Sequence, residues 1–229
     1  MKNLLNIIWI LLLFSNLLNS QTDLEKALFD LPDIRFEKIK TPDGFESAYL
    51  VNIKQPLDHT DPSKGYFYQR VWFSHSGFDK PTVINTAGYD TRANRIYEPT
   101  KLLNANQLRV EHRFFGTSIP EKLEEKYEYL NMEQATADLH KVREVFGALY
   151  KNKWLATGIS KGGMTTIYYK YFYPDDVDVS IPYVAPIDTT YEDPRIYDFL
   201  NNQGSEACRT EIREIQDRLL TDREGAMVR

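Results

Sequence analysis

Apolar and polar positions alternate along two stretches early in the chain, Ser47 to Lys54 ("SAYLVNIK") and Tyr66 to Ser74 ("YFYQRVWFS"), with the turn-forming "DHTDPSKG" between them. Alternation at period two on either side of an Asp/Pro/Gly-rich break predicts an antiparallel hairpin. Pro81 to Thr86 ("PTVINT") and Leu108 to His112 ("LRVEH") read as short buried strands, the first ending at Ala87-Gly88-Tyr89. From Asn131 to Tyr150 the period changes. Met132, Ala135, Leu139, Val142, Val145, Phe146 and Leu149 recur at helical spacing and predict an amphipathic helix. Lys153 to Thr157 then reads as a strand, Gly162 to about Tyr173 as a helix, and Val177 to Tyr183 as a strand. This cadence predicts an α/β domain, a parallel-rich sheet with helices on both faces. Beyond Pro186 the segments Pro194–Asn202 and Glu206–Leu220 are polar and helix-prone, and the charged run Glu121 to Glu128 reads as a solvated helix face.

At the N-terminus Lys2 precedes an apolar stretch from Leu4 to Leu18, broken only by Asn6, Ser15 and Asn16 and followed by Asn19-Ser20-Gln21. Its unbroken core, Ile7 to Phe14, is far shorter than the ~20 residues that a membrane span requires. Residues 1–20 therefore read as a signal peptide cleaved near Ser20, with a secreted or periplasmic product and no stable membrane insertion after cleavage.

Composition narrows the function classes. The chain has 229 residues, 42% hydrophobic and 13% aromatic, enough for a sizeable core, and its net charge of -5 without a basic stripe argues against a nucleic-acid surface. The single cysteine, Cys208, cannot form an intramolecular disulfide, and its polar helical setting reads as a partly buried helix residue rather than a reactive thiol. There is no H-E-x-x-H, no cysteine pair and no carboxylate cluster at ligand spacing, so neither a metal nor another cofactor is expected.

The candidate chemistry lies in "ATGISKGGMTTIYYKYFYP", where Gly158, Ser160 and Gly162 form G-x-S-x-G. The pattern is weak alone, but a predicted strand enters it and a predicted helix leaves it, which is the setting of a nucleophile elbow. Ser160 would stand clear of the sheet in a strained backbone conformation, and side chains at positions 158 and 162 would collide with the neighbouring strand and helix. An oxyanion hole would take one donor from the backbone N–H of Lys161 and a second from the Gly88-Tyr89 segment. That glycine reads equally well as a plain turn.

Four blocks carry a family resemblance: "QPLDHTDPSKGYFYQRVWF", "VEHRFFGTSIP", "YLNMEQATADL" and "GISKGGMTTIYYKYFYPDDVDVSIPYVAPI". In this order they resemble the secreted bacterial prolyl tri/tetrapeptidyl aminopeptidases and, more distantly, the lysosomal Pro-Xaa carboxypeptidase and dipeptidyl peptidase II group. The resemblance implies an α/β-hydrolase fold with a helical cap inserted late in the sheet, a peptide substrate, and release of short N-terminal peptides through an acyl-enzyme on Ser160. It divides the chain into a signal at 1–20, part of a catalytic domain at 21–190 and the start of a cap at 191–229.

In that fold the histidine and carboxylate of the triad follow the serine, whereas His59, His75, His112 and His140 all precede Ser160. The expectation is a fragment without its base and acid, inactive as it stands. Of the four, His112 lies at a predicted strand end, flanked by Glu111 and Arg113. These three are the candidates for substrate contact, with Glu111 reading the N-terminal ammonium of a peptide, against the alternative of an ion-paired strand end that shapes the pocket wall. His59 reads as a local turn cap, His140 as a surface residue and His75 as part of a polar loop. An esterase or lipase, or a non-catalytic binding module that keeps the elbow without the triad, are the competing functions.

Overall fold

The computed structural model describes residues 22–188 and 190–222, and the expected signal peptide lies outside them. The chain divides into two compact units, the break falling between Pro186 and Ile187.

The first unit is built on a seven-stranded sheet of order β1-β2-β3-β5-β4-β6-β7. Its strands are β1 (Ile34–Lys38), β2 (Ser47–Pro56), β3 (Tyr66–His75), β4 (Thr82–Thr86), β5 (Asn106–Val110), β6 (Trp154–Ile159) and β7 (Val179–Tyr183). The expected hairpin is present, with β2 and β3 paired antiparallel from Ser47↔His75 to Pro56↔Tyr66. Antiparallel pairing continues between β1 and β2 and between β3 and β5, and only β5-β4-β6-β7 run parallel. The sheet is therefore mixed, with the expected parallel part in β5-β4-β6-β7. The reason is local: a short turn can join only antiparallel strands, whereas parallel neighbours need a crossover, and helices appear only from residue 98 onward between sheet strands.

Among the described residues four α-helices belong to this unit: α1 (Asp23–Phe29), α2 (Glu98–Leu102), α3 (Met132–Gly147) and α4 (Lys161–Phe172). The Asn131 side chain caps α3 by accepting from Gln134 N–H at 2.9 Å. The main core joins Leu24 and Leu28 of α1, Val51, Ile53, Val71, Phe73, Ile84 and Ala156 of the strands, and Leu139, Val142 and Phe146 of α3. Because successive strand residues face opposite ways, Val83 and Leu155 pack on the other side with Ala105. Neither α1 nor β1 announces itself in the sequence, since seven and five residues are too few to display a period. The run Glu121 to Glu128 holds two 3-10 turns, Leu123–Glu125 and Tyr127–Tyr129, instead of an α-helix. The strand expected to end at His112 ends at Val110, so Glu111, His112 and Arg113 begin a loop.

The second unit holds α5 (Pro194–Asn202) and α6 (Glu206–Asp222). Asp193 caps α5, accepting from Arg195 N–H at 2.9 Å. Cys208, expected to be partly buried, is exposed on α6.

A buried ion pair locks α3 to the loop after β5. Arg113 donates to Asp138 from Nε and NH2 at 2.8 and 2.7 Å, and to the carbonyls of Leu57, Tyr129 and Pro56 at 2.9, 2.8 and 3.2 Å. Both side chains are fully buried. Burial alone would raise the Asp138 carboxyl, but the Arg113 charge, its hydrogen bonds and His59 outweigh burial and hold it below the ordinary carboxylate value. Removing one charge of such a pair strands the other. Asp138→Asn is expected to lower the unfolding free energy by about 3–5 kcal/mol. Chemical denaturation of the intact gene product measures it, and a loss below about 1 kcal/mol, the range of exposed pairs, would deny the pair its structural role.

Candidate active site

β6 runs directly into Ser160 and α4 begins at the next residue. Ser160 has φ 55 and ψ -123, a conformation that L-residues rarely adopt. It is exposed, while Gly162 and Gly163 behind it are buried. The elbow is anchored on two sides: Ser160 N–H donates to Tyr183 O of β7 at 3.0 Å, and Ser160 O accepts from Met164 N–H at 2.9 Å. The motif glycines have the steric reason that the sequence suggested. A Cβ on Gly162 would lie 2.3 Å from Thr86 O, and one on Gly158 would lie 2.4 Å from Gly162 O.

Two buried hydroxyls that the sequence did not single out complete the junction. Thr86 Oγ1 and Thr166 Oγ1 lie 2.7 Å apart, and both approach Gly162 O, at 2.7 and 3.0 Å. Threonines in a strand and a helix carry no distinguishing pattern, and only the fold brings these two together.

The expected oxyanion residues Lys161, Gly88 and Tyr89 come together at the start of α4, directly after Ser160. The loop after β4 lies flat on the first turn of α4, so that a Cβ on Gly88 would stand 2.7 Å from Gly162 N and 2.8 Å from Lys161 Cβ. Lys161 Nζ donates to Gly88 O at 2.9 Å, and His112 N–H to Tyr89 O at 3.2 Å. Among the described residues the N–H groups of Gly88, Tyr89 and Lys161 have no hydrogen-bond partner. Burial lowers the Lys161 ammonium to about 8.

Glu111 and Arg113 do not reach this site. Glu111 is wholly buried and both its oxygens are occupied: Oε1 accepts from Thr91 N–H at 2.8 Å, and Oε2 from the N–H groups of Thr117 and Ser118 and the Ser118 hydroxyl at 3.0, 3.1 and 2.7 Å. The cation beside it is Arg70, at 3.6 Å, not Arg113. A carboxylate so enclosed cannot meet a peptide ammonium, and the guanidinium of Arg113 is spent inside the fold. The strand-end alternative is the one that these two residues satisfy, with partners other than each other.

The histidines likewise sit differently from their local sequence. His59 reaches across to Asp138 at 2.8 Å instead of capping its own turn. His75 is the last residue of β3, buried, with Nδ1 2.7 Å from the Tyr150 hydroxyl, and is no loop residue. His140 is half-buried against Asp176 at 2.8 Å. His112 is buried, its Nδ1 2.9 Å from Arg113 O and its Nε2 without a hydrogen bond, so it makes none to Ser160.

A strained serine at a strand-helix elbow, with unpaired N–H groups around it, is an arrangement that can attack a carbonyl and hold the resulting oxyanion. Residues 19–227 match the family model described as PS-10 peptidase S37. The chain belongs to this peptidase family. It is 37% identical over 212 residues, 91% of its length, to the prolyl tri/tetrapeptidyl aminopeptidase of Streptomyces mobaraensis, of which it covers 44%. A serine protease of Bipolaris victoriae is 36% identical over 107 residues, 40% of this chain and 20% of that protein. The chain thus spans less than half the length of these curated relatives. Two solved structures, acetyl xylan esterases from Thermoanaerobacterium sp. and Paenibacillus sp. R4, superpose with a TM-score of 0.51 each at 12% and 16% identity. They cover 86% and 92% of this chain, which covers 64% and 72% of theirs. At that identity they bear on the fold alone, which is that of the α/β hydrolases.

Within this member of the peptidase family the His112 ring gives a direct test of the geometry. Burial, then the neighbouring Lys161 charge, lowers it from 6.5 to about 4. The unfolded chain therefore takes up this proton first as pH falls, and the stability the ring contributes, complete above 6.5, is lost as pH drops towards about 4. His112→Gln is expected to flatten the pH dependence of the unfolding free energy across that window. Proton NMR should show no titration of the wild-type ring between pH 5 and 8, and a ring titrating near 6.5 would place it in water.

Proposed function

We propose that this chain carries the nucleophile of a serine exopeptidase that releases short peptides from the N-termini of larger ones, through an acyl-enzyme on Ser160. The observation that carries the reading is the strained, exposed Ser160 facing N–H groups of Lys161 and the Gly88–Tyr89 segment that have no other partner among the described residues. A tetrahedral intermediate formed on Ser160 Oγ develops its negative charge where those donors and the N-terminus of α4 can meet it. The likeness to the Streptomyces aminopeptidase supports the substrate class.

An acyl-enzyme mechanism also needs a base for the Ser160 proton and a carboxylate to orient that base. None of the four histidines of the sequence is hydrogen-bonded to Ser160. None of these histidines is assigned as that base, and we infer that the chain alone is inactive. Residues 191–222 belong, in this reading, to the start of a helical cap. The apolar stretch from Leu4 to Leu18 supports export to the periplasm or medium, and among the described residues no helix is long and apolar enough to cross a membrane.

In the intact gene product, Ser160→Ala is expected to reduce turnover of an Ala-Ala-Pro p-nitroanilide by about four to six orders of magnitude without lowering the thermal midpoint. A fluorophosphonate should label the wild type and not the variant. Turnover of simple acyl esters with none of the peptide would move the assignment to an esterase, and equal labelling of both proteins would remove Ser160 as the nucleophile.

A further inference from the structure

Lysine is a poor choice for the first residue of a helix. Its charge opposes the positive end of the macrodipole, and a lysine in that position ordinarily extends into water. Lys161 does the reverse. Its side chain folds back across the elbow, donates from Nζ to Gly88 O at 2.9 Å, and brings the ammonium 5.4 and 5.5 Å from the ring centroids of Tyr89 and Phe115. Two costs, the helix end and the desolvation, require a compensating gain at this spot.

We propose that the Lys161 side chain is a positioning residue for the oxyanion hole, fixing the direction of the Tyr89 N–H while its own backbone N–H supplies the other donor. This rests on Ser160 being the nucleophile. The argument follows from peptide geometry. Gly88 C=O and Tyr89 N–H belong to one planar trans peptide unit and point opposite ways, so a bond that holds the carbonyl sets the N–H. The next carbonyl, Tyr89 O, is held in turn by His112 N–H at 3.2 Å. Gly88 has no side chain to keep this peptide away from the helix, and a Cβ there would strike Gly162 N and Lys161 Cβ. The segment is thus pressed on α4 and held through its carbonyls, leaving its N–H groups unpaired among the described residues. The aromatic faces of Tyr89 and Phe115 hold the ammonium in place without competing for Gly88 O.

The test uses the intact gene product with Lys161→Met, which keeps chain length and loses the donor, and Lys161→Arg, which keeps a charged donor. Lys161→Gln, shorter and uncharged, is read in the same way should the Met protein lose its cooperative melt. For Lys161→Met, kcat on the Ala-Ala-Pro anilide is expected to fall by about tenfold to a hundredfold with KM within about threefold. Inhibition by a peptide boronic acid, whose tetrahedral adduct occupies the hole, should weaken by the same factor. Lys161→Arg should restore most of both. If kcat and boronate inhibition stay within about twofold of wild type in a folded Met variant, the proposal fails. A rise in KM alone also overturns it, because the ammonium would then bind substrate. Fluorophosphonate labelling of the wild type separates the two levels: an unlabelled Ser160 ends the nucleophile reading and this proposal with it, whereas a labelled Ser160 beside an indifferent Lys161→Met ends this proposal only.

Discussion

The structure turns on the closeness of two backbones, the end of β4 at Thr86 and the first turn of α4 at Gly162. No side chain fits between them, since a Cβ on Gly162 would sit 2.3 Å from Thr86 O. That contact decides where the helix starts, and so forces the residue before it to turn with φ 55. A non-glycine residue in such a conformation costs on the order of 1–3 kcal/mol and persists only where its surroundings over-determine it. Here the surroundings are the Thr86 and Thr166 hydroxyls on Gly162 O, the Ser160 N–H bond to Tyr183 and the turn bond from Met164. At the elbow the strained residue is the exposed serine, and a second positive φ, 41, falls on Val184 directly after Tyr183.

Near this junction, two buried charges tie loops together without bonding to Ser160. Glu111 ties Thr91, in the loop after β4, to Thr117 and Ser118, in the loop after β5. Arg113 ties the β2–β3 turn through Pro56 and Leu57, the segment before α3 through Tyr129, and α3 itself through Asp138. Loops carry exposed backbone groups, and a buried carboxylate or guanidinium can satisfy several of them at once in a fixed geometry. This is how segments without regular structure are tied to one another and to α3. The cost of burying the charges is met locally, because each is surrounded by partners of the opposite polarity.

What the sequence discloses and what it hides differ by range. The hairpin, β4, α3, β6 and α4 are legible because their residues repeat at a period set by local geometry, and the elbow is legible because glycine is required at fixed offsets from the serine. The four sequence blocks are specific enough to point to the peptidase family as well. The antiparallel half of the sheet is less legible, since β1 is too short to show alternation and strand order is a long-range property. The run Glu111-His112-Arg113 is the instructive failure. Three chemically capable residues at a strand end resemble a site, yet every one of them is turned inward. Burial depends on which distant carbonyls and hydroxyls converge there, from Pro56 to Asp138, and no local pattern encodes that. The histidines teach the same lesson, as each finds its partner 25 residues or more away or on its own backbone neighbour.

The electrostatic balance at the elbow follows from these placements. The carboxylate of the Glu111-His112-Arg113 run is consumed by hydroxyl and amide donors, and its guanidinium is neutralised by Asp138. His112, held neutral down to about 4 by burial and by the ammonium nearby, adds no charge. What is left beside Ser160 is positive: the N-terminal end of α4 and the Lys161 ammonium, itself lowered to about 8 by burial. In the proposed mechanism a negative charge growing next to Ser160 is therefore favoured, at neutral pH, from two directions. As pH rises past about 8 one of them disappears, because the amine becomes neutral while the helix end does not change. Burial thus sets the upper limit of the pH range over which that field is complete.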